Sequence, residues 1–578
     1  MSLSAALNIG RSALSASQLA LQVAGNNIAN VGTPGYSRQV ASLVPIGSSD
    51  PYSRLGTGRG VGVADVRRQI DQALQARLWM SRSDKAAAQQ NLDTMSQVEA
   101  VLGELSGNDL STELSTFFNT WSERANNTKS SASVVQQGDK LAEMFKRLRS
   151  NLTDIRTQID RQLGSAISAA DGLLDQVAEL NAAISSSELA GGEAGALRDQ
   201  RDEVIGKLSE MMDISTIERQ NGSIDVLVGS TPIVLGGLSR GVQIKPVSSG
   251  STVDMTVAVG DDGEPLPVGS GQIAALLSSR DTAVDGVLER LDTVAAQLIF
   301  QVNKLHSTGA NLSNLTRSTG TLKLNQADRA LALNDPSNQT LSSLPFSASH
   351  GSFTIRVKNT ADGSFQSTRI DVDLDGVTST GASGTADDTS AEDIRASLNG
   401  VPGITATFTP DGKLEVTAQA GFEFSFEDDT SGALAVLGVN SYFDGSNAAN
   451  IAIREDLKSD PTRLMAGRMT SSGLVENATA LAMVNLQDSA NTVLGGRSIR
   501  SGWIDAVQAV GIRTSAADNE NQALSVVQES LEAQRAAVSG VSIDEEAINL
   551  MNYQRQYQGA ARVISVADQL MQTLISLV

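Results

Sequence analysis

The stretch "NNIANVGTPGYSRQ", Asn26 to Gln39, decides the fold, because it stops a long helix-forming run almost at the start of the chain. Upstream of it, Leu7, Leu14, Leu21 and Ile28 recur at a spacing of seven, and Leu3, Gly10, Ser17, Ala24 and Val31 make a companion row. Two such rows describe a coiled-coil seam, with small residues where a neighbouring helix approaches closely. The spacing predicts a helix over residues 3–31. Its end has a chemical cause. Gly32 offers a positive φ as a C-cap, Pro34 forbids continuation, and Thr33 before it is pushed toward extended geometry.

The far end of the chain repeats the design. Leu550, Tyr557, Ile564 and Met571 recur at seven, with Tyr553, Ala560, Ala567 and Leu574 beside them. Ser542 and Glu545 have capping-box spacing, and Asp544, Glu545 and Glu546 place negative charge at the positive end of that helix. Leu524, Leu531 and Val538 continue a similar row upstream. Both termini therefore offer helices with seams.

These helices are also short of charge. Residues 1–35 hold only Arg11, and residues 547–578 only Arg555, Arg562 and Asp568. A solvated helix carries a charged outer face, whereas these carry Ser, Gln, Asn and Ala, so the whole circumference is expected to meet more than one neighbour. Burying the six apolar side chains of the first helix contributes at most about 9–18 kcal/mol. Ordering its backbone costs roughly 30–60 kcal/mol, only partly offset by hydrogen bonds. The two ends are thus expected to be largely disordered in a free monomer and to fold when subunits pack; the alternative is an ordinary antiparallel coiled coil of the two ends within one chain.

Composition narrows the classes. With 578 residues the chain has room for three to four domains. A net charge of −21 repels nucleic acid and anionic membrane surfaces, so neither is an expected partner. The absence of cysteine rules out disulfides, thiolate metal sites and a Cys nucleophile. No stretch is long and apolar enough for a membrane helix, and the N-terminus lacks the layout of a cleaved secretory signal.

The fold class expected is mainly α with β inserts: terminal helices paired as a coiled-coil core, a helical rod domain and two outward β-rich domains. Residues 1–83 with 490–578 form the terminal core in this reading. Residues 84–210, 273–319 and 454–489 form the rod, 211–272 a small β-rich domain, and 320–453 a variable β-rich outer domain. Within the last, "PDGK" marks a hairpin and Ser390 caps the helix "SAEDIRASLN".

Chemistry is sparse. His306 and His350 are the only histidines and have no metal-ligand spacing. "DVDLDG", Asp371 to Gly376, resembles half of an EF-hand loop, but Ala382 stands where the bidentate Glu belongs. "GTGRGVGV", Gly56 to Val63, matches neither nucleotide-binding glycine motif and is read as a loop closing onto a strand. No catalytic residue, cofactor or metal site is expected.

Against this background, "NNIANVGTPGYSRQ" resembles the N-terminal signature shared by bacterial flagellar rod, hook and hook-associated proteins. "SGVSIDEEAINLMNYQRQYQGAARVISVADQLMQTLISLV" resembles their C-terminal signature. "SRQ" after Gly35-Tyr36, "SGVSIDEEA", and the interior stretches "QIAALLSSRDTAVDGVLERLDTVAAQLIFQVNKLHSTG" and "LGVNSYFDGSNAANIAI" are most similar to the hook-associated members at the hook–filament junction. The resemblance implies a secreted structural subunit, carried out unfolded by flagellar type III export and placed outside the cell. Its implied partners are further copies of itself in a ring, the hook protein, the next hook-associated junction protein, and a cytoplasmic export chaperone on the C-terminal helix. It further implies that Asn26, Asn27, Asn30, Thr33, Pro34, Gly35 and Tyr36 form the turn out of the inner helix, that Ser542, Asp544 and Glu545 cap the last helix, and that the Leu7–Ile28 row faces Leu550, Tyr557, Ile564 and Met571. Two other readings stand beside it: the hook or another axial protein, and an exported enzyme or adhesin whose activity sits in residues 320–453.

Overall fold

The computed structural model describes residues 3–47, 58–103, 109–127, 129–189, 191–249, 252–260, 262–470 and 473–576. Gly56 and Thr57 of the glycine-dense motif lie outside the described residues. In chain order the elements begin with α1 (Leu3–Ala29), β1 (Gln39–Pro45), β2 (Val61–Arg68), α2 (Gln72–Leu102), α3 (Leu110–Asn126), α4 (Ser131–Glu188) and α5 (Gly195–Met211). Six strands follow, β3 (Ser215–Glu218), β4 (Ile224–Val228), β5 (Thr231–Leu235), β6 (Leu238–Ser239), β7 (Val242–Ser249) and β8 (Thr252–Val259), then α6 (Gly271–Ser278) and α7 (Gly286–Ser307). The next region holds β9 (Arg317–Thr319), β10 (Gly351–Asn359), β11 (Phe365–Val372), α8 (Ala391–Asn399), β12 (Ile404–Phe408), β13 (Leu414–Ala418) and β14 (Phe422–Glu427). Helices α9 (Ala478–Leu486), α10 (Ile499–Ser539) and α11 (Ile543–Ser576) end the chain. The protein is mainly helical with small antiparallel sheets.

The chain divides into two compact units. One comprises Met1–Thr94, Gln158–Arg280 and Ser515–Val578, the other Met95–Thr157 and Asp281–Thr514.

In the first unit α1 packs along α11, and the antiparallel β1–β2 hairpin packs against α1. Gln39 pairs with Arg68 and Pro45 with Val61, with an irregularity between Ser42 and Leu43. The four-stranded β3–β4–β5–β6 sheet is tied to α4 and α5 by a buried polar pin. Asn181 Nδ2 donates to the carbonyls of Ile224 and Gly236, both at 2.7 Å, and its Oδ1 accepts from Ile224 N–H at 2.9 Å. Arg201 donates to Asn181 Oδ1 and to the Gly222 carbonyl at 2.7 Å, and burial pushes its guanidinium down to about 10. Buried polar groups are tolerated where partners replace water, and this pin fixes where the small sheet sits.

The second unit has two cores. Between α3, α7 and residues 442–443, Phe117, Phe118, Trp121, Tyr442 and Phe443 meet in tilted and edge-on contacts. The Tyr442 hydroxyl donates to the Val134 carbonyl at 2.7 Å. His306 is buried there. Its Nδ1 donates to the Asn440 carbonyl at 2.8 Å and its Nε2 accepts from Met465 N–H at 3.1 Å, which sets the neutral tautomer. The other core lies between the sheets β11–β10–β14 and β12–β13–β9. Helix α8 closes it, opened by a full capping box between Ser390 and Asp393, and "PDGK" forms the expected β12–β13 hairpin.

Local details differ from expectation. Helix α1 ends at Ala29, two residues early, and the left-handed residue that turns the chain is Gly35, with φ +81°, not Gly32. Pro34 still blocks continuation, so the turn is moved rather than lost.

Candidate assembly interface

Asn27 lies in the last turn of α1 and Glu546 in the first turn of α11, and both are almost fully buried. Asn27 Nδ2 donates to Glu546 Oε2 at 3.1 Å and to the Gln39 carbonyl at 2.8 Å. Its Oδ1 accepts from the Tyr36 hydroxyl at 2.8 Å and from Gln39 N–H at 3.0 Å. One amide side chain thus holds the end of α1, the start of β1 and the start of α11 together. Arg38 completes the node. Its Nε and Nη2 reach Glu546 Oε1 at 2.8 Å, its Nη1 reaches Glu545 at 2.9 Å, and its own N–H donates to the Ser539 carbonyl. Burial, with the Asp199 and Glu546 carboxylates nearby, pushes the Tyr36 hydroxyl up to about 12, so it remains a donor to Asn27.

A second layer supports this node. Ser37 N–H donates to Asp199 Oδ2, and Arg68 spans Glu193, Asp199 and Asp202 at 2.8–3.0 Å. The hairpin that follows the turn is thereby anchored to α5.

The other signature residues are arranged differently. Asn30 Nδ2 donates to Asn26 O at 2.9 Å and Thr33 Oγ1 to Asn30 Oδ1 at 3.3 Å, an exposed local chain that finishes the helix. Pro34 is exposed. At the other end Ser542 caps α11, its Oγ accepting from Glu545 N–H at 3.4 Å, and Asp544 stays exposed. Glu545 and Glu546 turn their carboxylates to Arg38. Sequence reasoning missed Arg38 and Glu546 as a pair. The available signal was an arginine and an acidic triplet at opposite ends of two charge-poor segments.

The helix pair is antiparallel. Asn27 meets Glu546, while a Cβ added at Gly10 would sit 2.7 Å from Ile564 Cγ1 and 3.6 Å from the Ala560 carbonyl. The buried positions are Gly10, Ala16, Ser17, Ala20, Val23, Ala24 and Asn27 on α1, and Glu546, Ala560 and Ala567 on α11. The companion rows of small residues therefore form the centre of contact. Leu7, Leu14, Leu21 and Ile28 are only partly covered, as are Leu550, Ile564 and Met571, and Tyr557 is 36% exposed. Close approach explains this: with Gly and Ala in the middle, the larger side chains are displaced to the flanks.

On α11, Ile548, Met551, Val563, Val566, Leu570 and Leu574 remain between 46% and 56% exposed. At 100° per residue Ile548, Met551, Val566 and Leu570 lie on a different side of the helix from Glu546, Ala560 and Ala567, whereas Val563 flanks that buried row and Leu574, one heptad beyond Ala567, continues it. Contiguous exposed apolar surface on a helix marks a contact site.

Comparison with known proteins follows the same lines. Residues 95–321 match the family model "Flagellar hook-associated protein FlgK helical domain", residues 532–577 "Flagellar basal body rod FlgEFG protein C-terminal", and residues 7–36 "Flagella basal body rod protein". The chain is 26% identical to "Flagellar hook-associated protein 1" of Salmonella typhimurium over the whole of both chains. It is 25% identical to the protein of the same name in Bacillus subtilis over 99% of this chain and 97% of that one. Its fold resembles the flagellar hook junction protein FlgK from Burkholderia pseudomallei with a TM-score of 0.52 and 14% identity, covering 80% of this chain and all of that one.

Proposed function

We infer that this chain, a homologue of flagellar hook-associated protein 1 along its whole length, is the structural subunit that joins hook to filament in the bacterial flagellum. It is an extracellular building block and not an enzyme. Among the described residues no helix is long and apolar enough to cross a membrane.

The observation that carries the mechanism is the unpaired apolar side of α11. In one chain, the α1–α11 pair satisfies its own small-residue centre and the Asn27–Glu546 node, leaving an apolar strip for another molecule. Copies in a ring would cover that strip with the helix pair of a neighbour, and the partly covered Leu7–Ile28 and Leu550–Met571 rows would finish their burial in the same step. Residues 1–83 and 490–578 then serve as the assembly part, with residues 84–210, 273–319 and 454–489 as the rod and residues 211–272 and 320–453 as β-rich attachments. Contact with the hook on one side and the next junction protein on the other is part of this reading, as is a chaperone that shields the α11 strip before export.

The test is Val566→Asp. Val566 is 55% exposed, so the folded chain tolerates the charge, but a subunit interface does not. A strain carrying it should export the protein, leave hooks without filaments and release filament subunits into the medium. Normal filaments would overturn the assignment of this strip.

A further inference from the structure

The segment after β11 brings together three carboxylates. Asp373, Asp375 and Asp388 each offer an oxygen, and these oxygens lie within 4.8 Å of one another. Backbone pairing builds the arrangement: Thr389 N–H donates to the Asp373 carbonyl at 2.7 Å, and Asp373 N–H donates to Thr389 Oγ1 at 2.8 Å. Between them a bridge from Val377 to Ser383 closes the loop.

Asp388 is the informative member. It is 5% exposed, and its Oδ2 accepts from Asn334 Nδ2 at 2.7 Å and from Gly376 N–H at 3.2 Å. Its Oδ1 is buried without any partner, and so is Asn334 Oδ1. A buried carboxylate oxygen left bare is costly, and crowding by two further carboxylates adds to the cost. Among the described residues no Lys or Arg forms an ion pair with any of the three. The nearest basic group, His350, lies 3.1 Å from Asp373 Oδ1 at the exposed edge.

We propose that Asp373, Asp375 and Asp388, with Asp388 held by the Asn334 amide NH2, form a calcium site. An all-oxygen donor set of carboxylates on an irregular loop suits a hard cation that accepts variable geometry. Magnesium demands a stricter octahedron and gives up its water reluctantly. The segment is not an EF-hand, since Ala382 leaves no bidentate Glu; Asp388 supplies the third carboxylate from a later position and a buried one. With only three carboxylates, the site belongs with weak extracellular modules, which bind at about 10⁻⁴–10⁻³ M.

The experiment uses the full-length chain stripped with EDTA and titrated calorimetrically with calcium chloride, in parallel with magnesium chloride. The expected result is one saturable calcium site per chain in about that range, with magnesium at least about tenfold weaker. Asp388→Ala should abolish it. Asp375→Asn, at an exposed position that does not threaten folding, should weaken it at least about tenfold. Absence of saturable binding up to about 10 mM calcium, an order of magnitude above that range, would overturn the proposal. So would equal magnesium affinity or unchanged binding in Asp375→Asn.

Discussion

Asn27→Asp exchanges one NH2 group for an oxygen at constant shape. The Nδ2 that disappears donates to the Gln39 carbonyl at 2.8 Å and to Glu546 Oε2 at 3.1 Å. The variant keeps the two bonds accepted by Oδ1 but sets a new oxygen against two acceptors. Two carboxylates about 3 Å apart repel by about 5 kcal/mol at an effective dielectric of about 20, and Arg38 offsets part of this. Protonation sets the ceiling. When repulsion exceeds the cost of holding a proton, the pair keeps one, and the resulting O–H restores the bond. Holding an acid of ordinary pKa, about 3.9, protonated at pH 7 costs about 4 kcal/mol, so the charge penalty does not exceed that.

The sign of the pH dependence follows. The folded-state pKa of the variant pair is raised, so the penalty is absent below the unfolded value and grows as pH rises through it toward the folded one. The ceiling falls to about 1.5 kcal/mol at pH 5. The stability difference from the native chain should therefore shrink by about 2–3 kcal/mol between pH 7 and pH 5. Hydrogen exchange of peptides from α1 and from residues 539–550, measured on the full chain and corrected for intrinsic rates, reads this difference. Asn27→Ala is the control: it loses all four hydrogen bonds and should cost roughly 2–4 kcal/mol at both pH values. A pH-independent Asn27→Asp penalty, or none at pH 7, would refute the geometry of the node.

Gly10→Leu should force the helix pair apart, since even a Cβ would lie 2.7 Å from Ile564 Cγ1. A loss of about 1–3 kcal/mol is expected, seen as faster proteolysis of both ends, and unchanged cleavage would contradict the close approach. Burial pushes His306 down to about 4. The stability this neutral histidine contributes is complete above about pH 6.5 and is lost as pH falls toward its folded pKa. His306→Gln should therefore reduce the stability loss between pH 7 and pH 4.5 by about 2–3 kcal/mol in denaturant titrations, and an identical slope would exclude His306 as the cause. Tyr442→Phe removes the hydroxyl's bond to the Val134 carbonyl and should cost about 0.5–1.5 kcal/mol of thermal stability.

Much of this fold is legible in periodicity, because helix, strand and turn are local consequences of sequence. The capping box at Ser390, the "PDGK" hairpin and both terminal helices follow from residues within a few positions of one another. What escapes is contact between distant positions. Nothing local tells that Asn27 meets Glu546, or that Asp388 returns to Asp373 and Asp375. The "DVDLDG" segment resembles a loop template whose last carboxylate follows at the twelfth position, whereas the fold brings a third carboxylate, Asp388, from a later and buried position.

The phase of the seam escapes for a related reason. A search by hydrophobicity chooses the Leu7, Leu14, Leu21 and Ile28 row, because those side chains are large. The fold buries Gly10, Ser17 and Ala24 instead, because the closest approach of two helices is reached through the smallest side chains. The two rows then divide the work. Small residues lock α1 to α11 within a chain, and leucines left half-covered on the flank still have apolar area to lose. A helix that had buried its leucines internally would have little left to offer a neighbour, and its charge-poor outer surface would serve no purpose. The displaced seam is thus what lets one helix pair pack within the subunit, where the shortage of charge alone pointed to ends disordered until subunits meet, and remain adhesive toward the next.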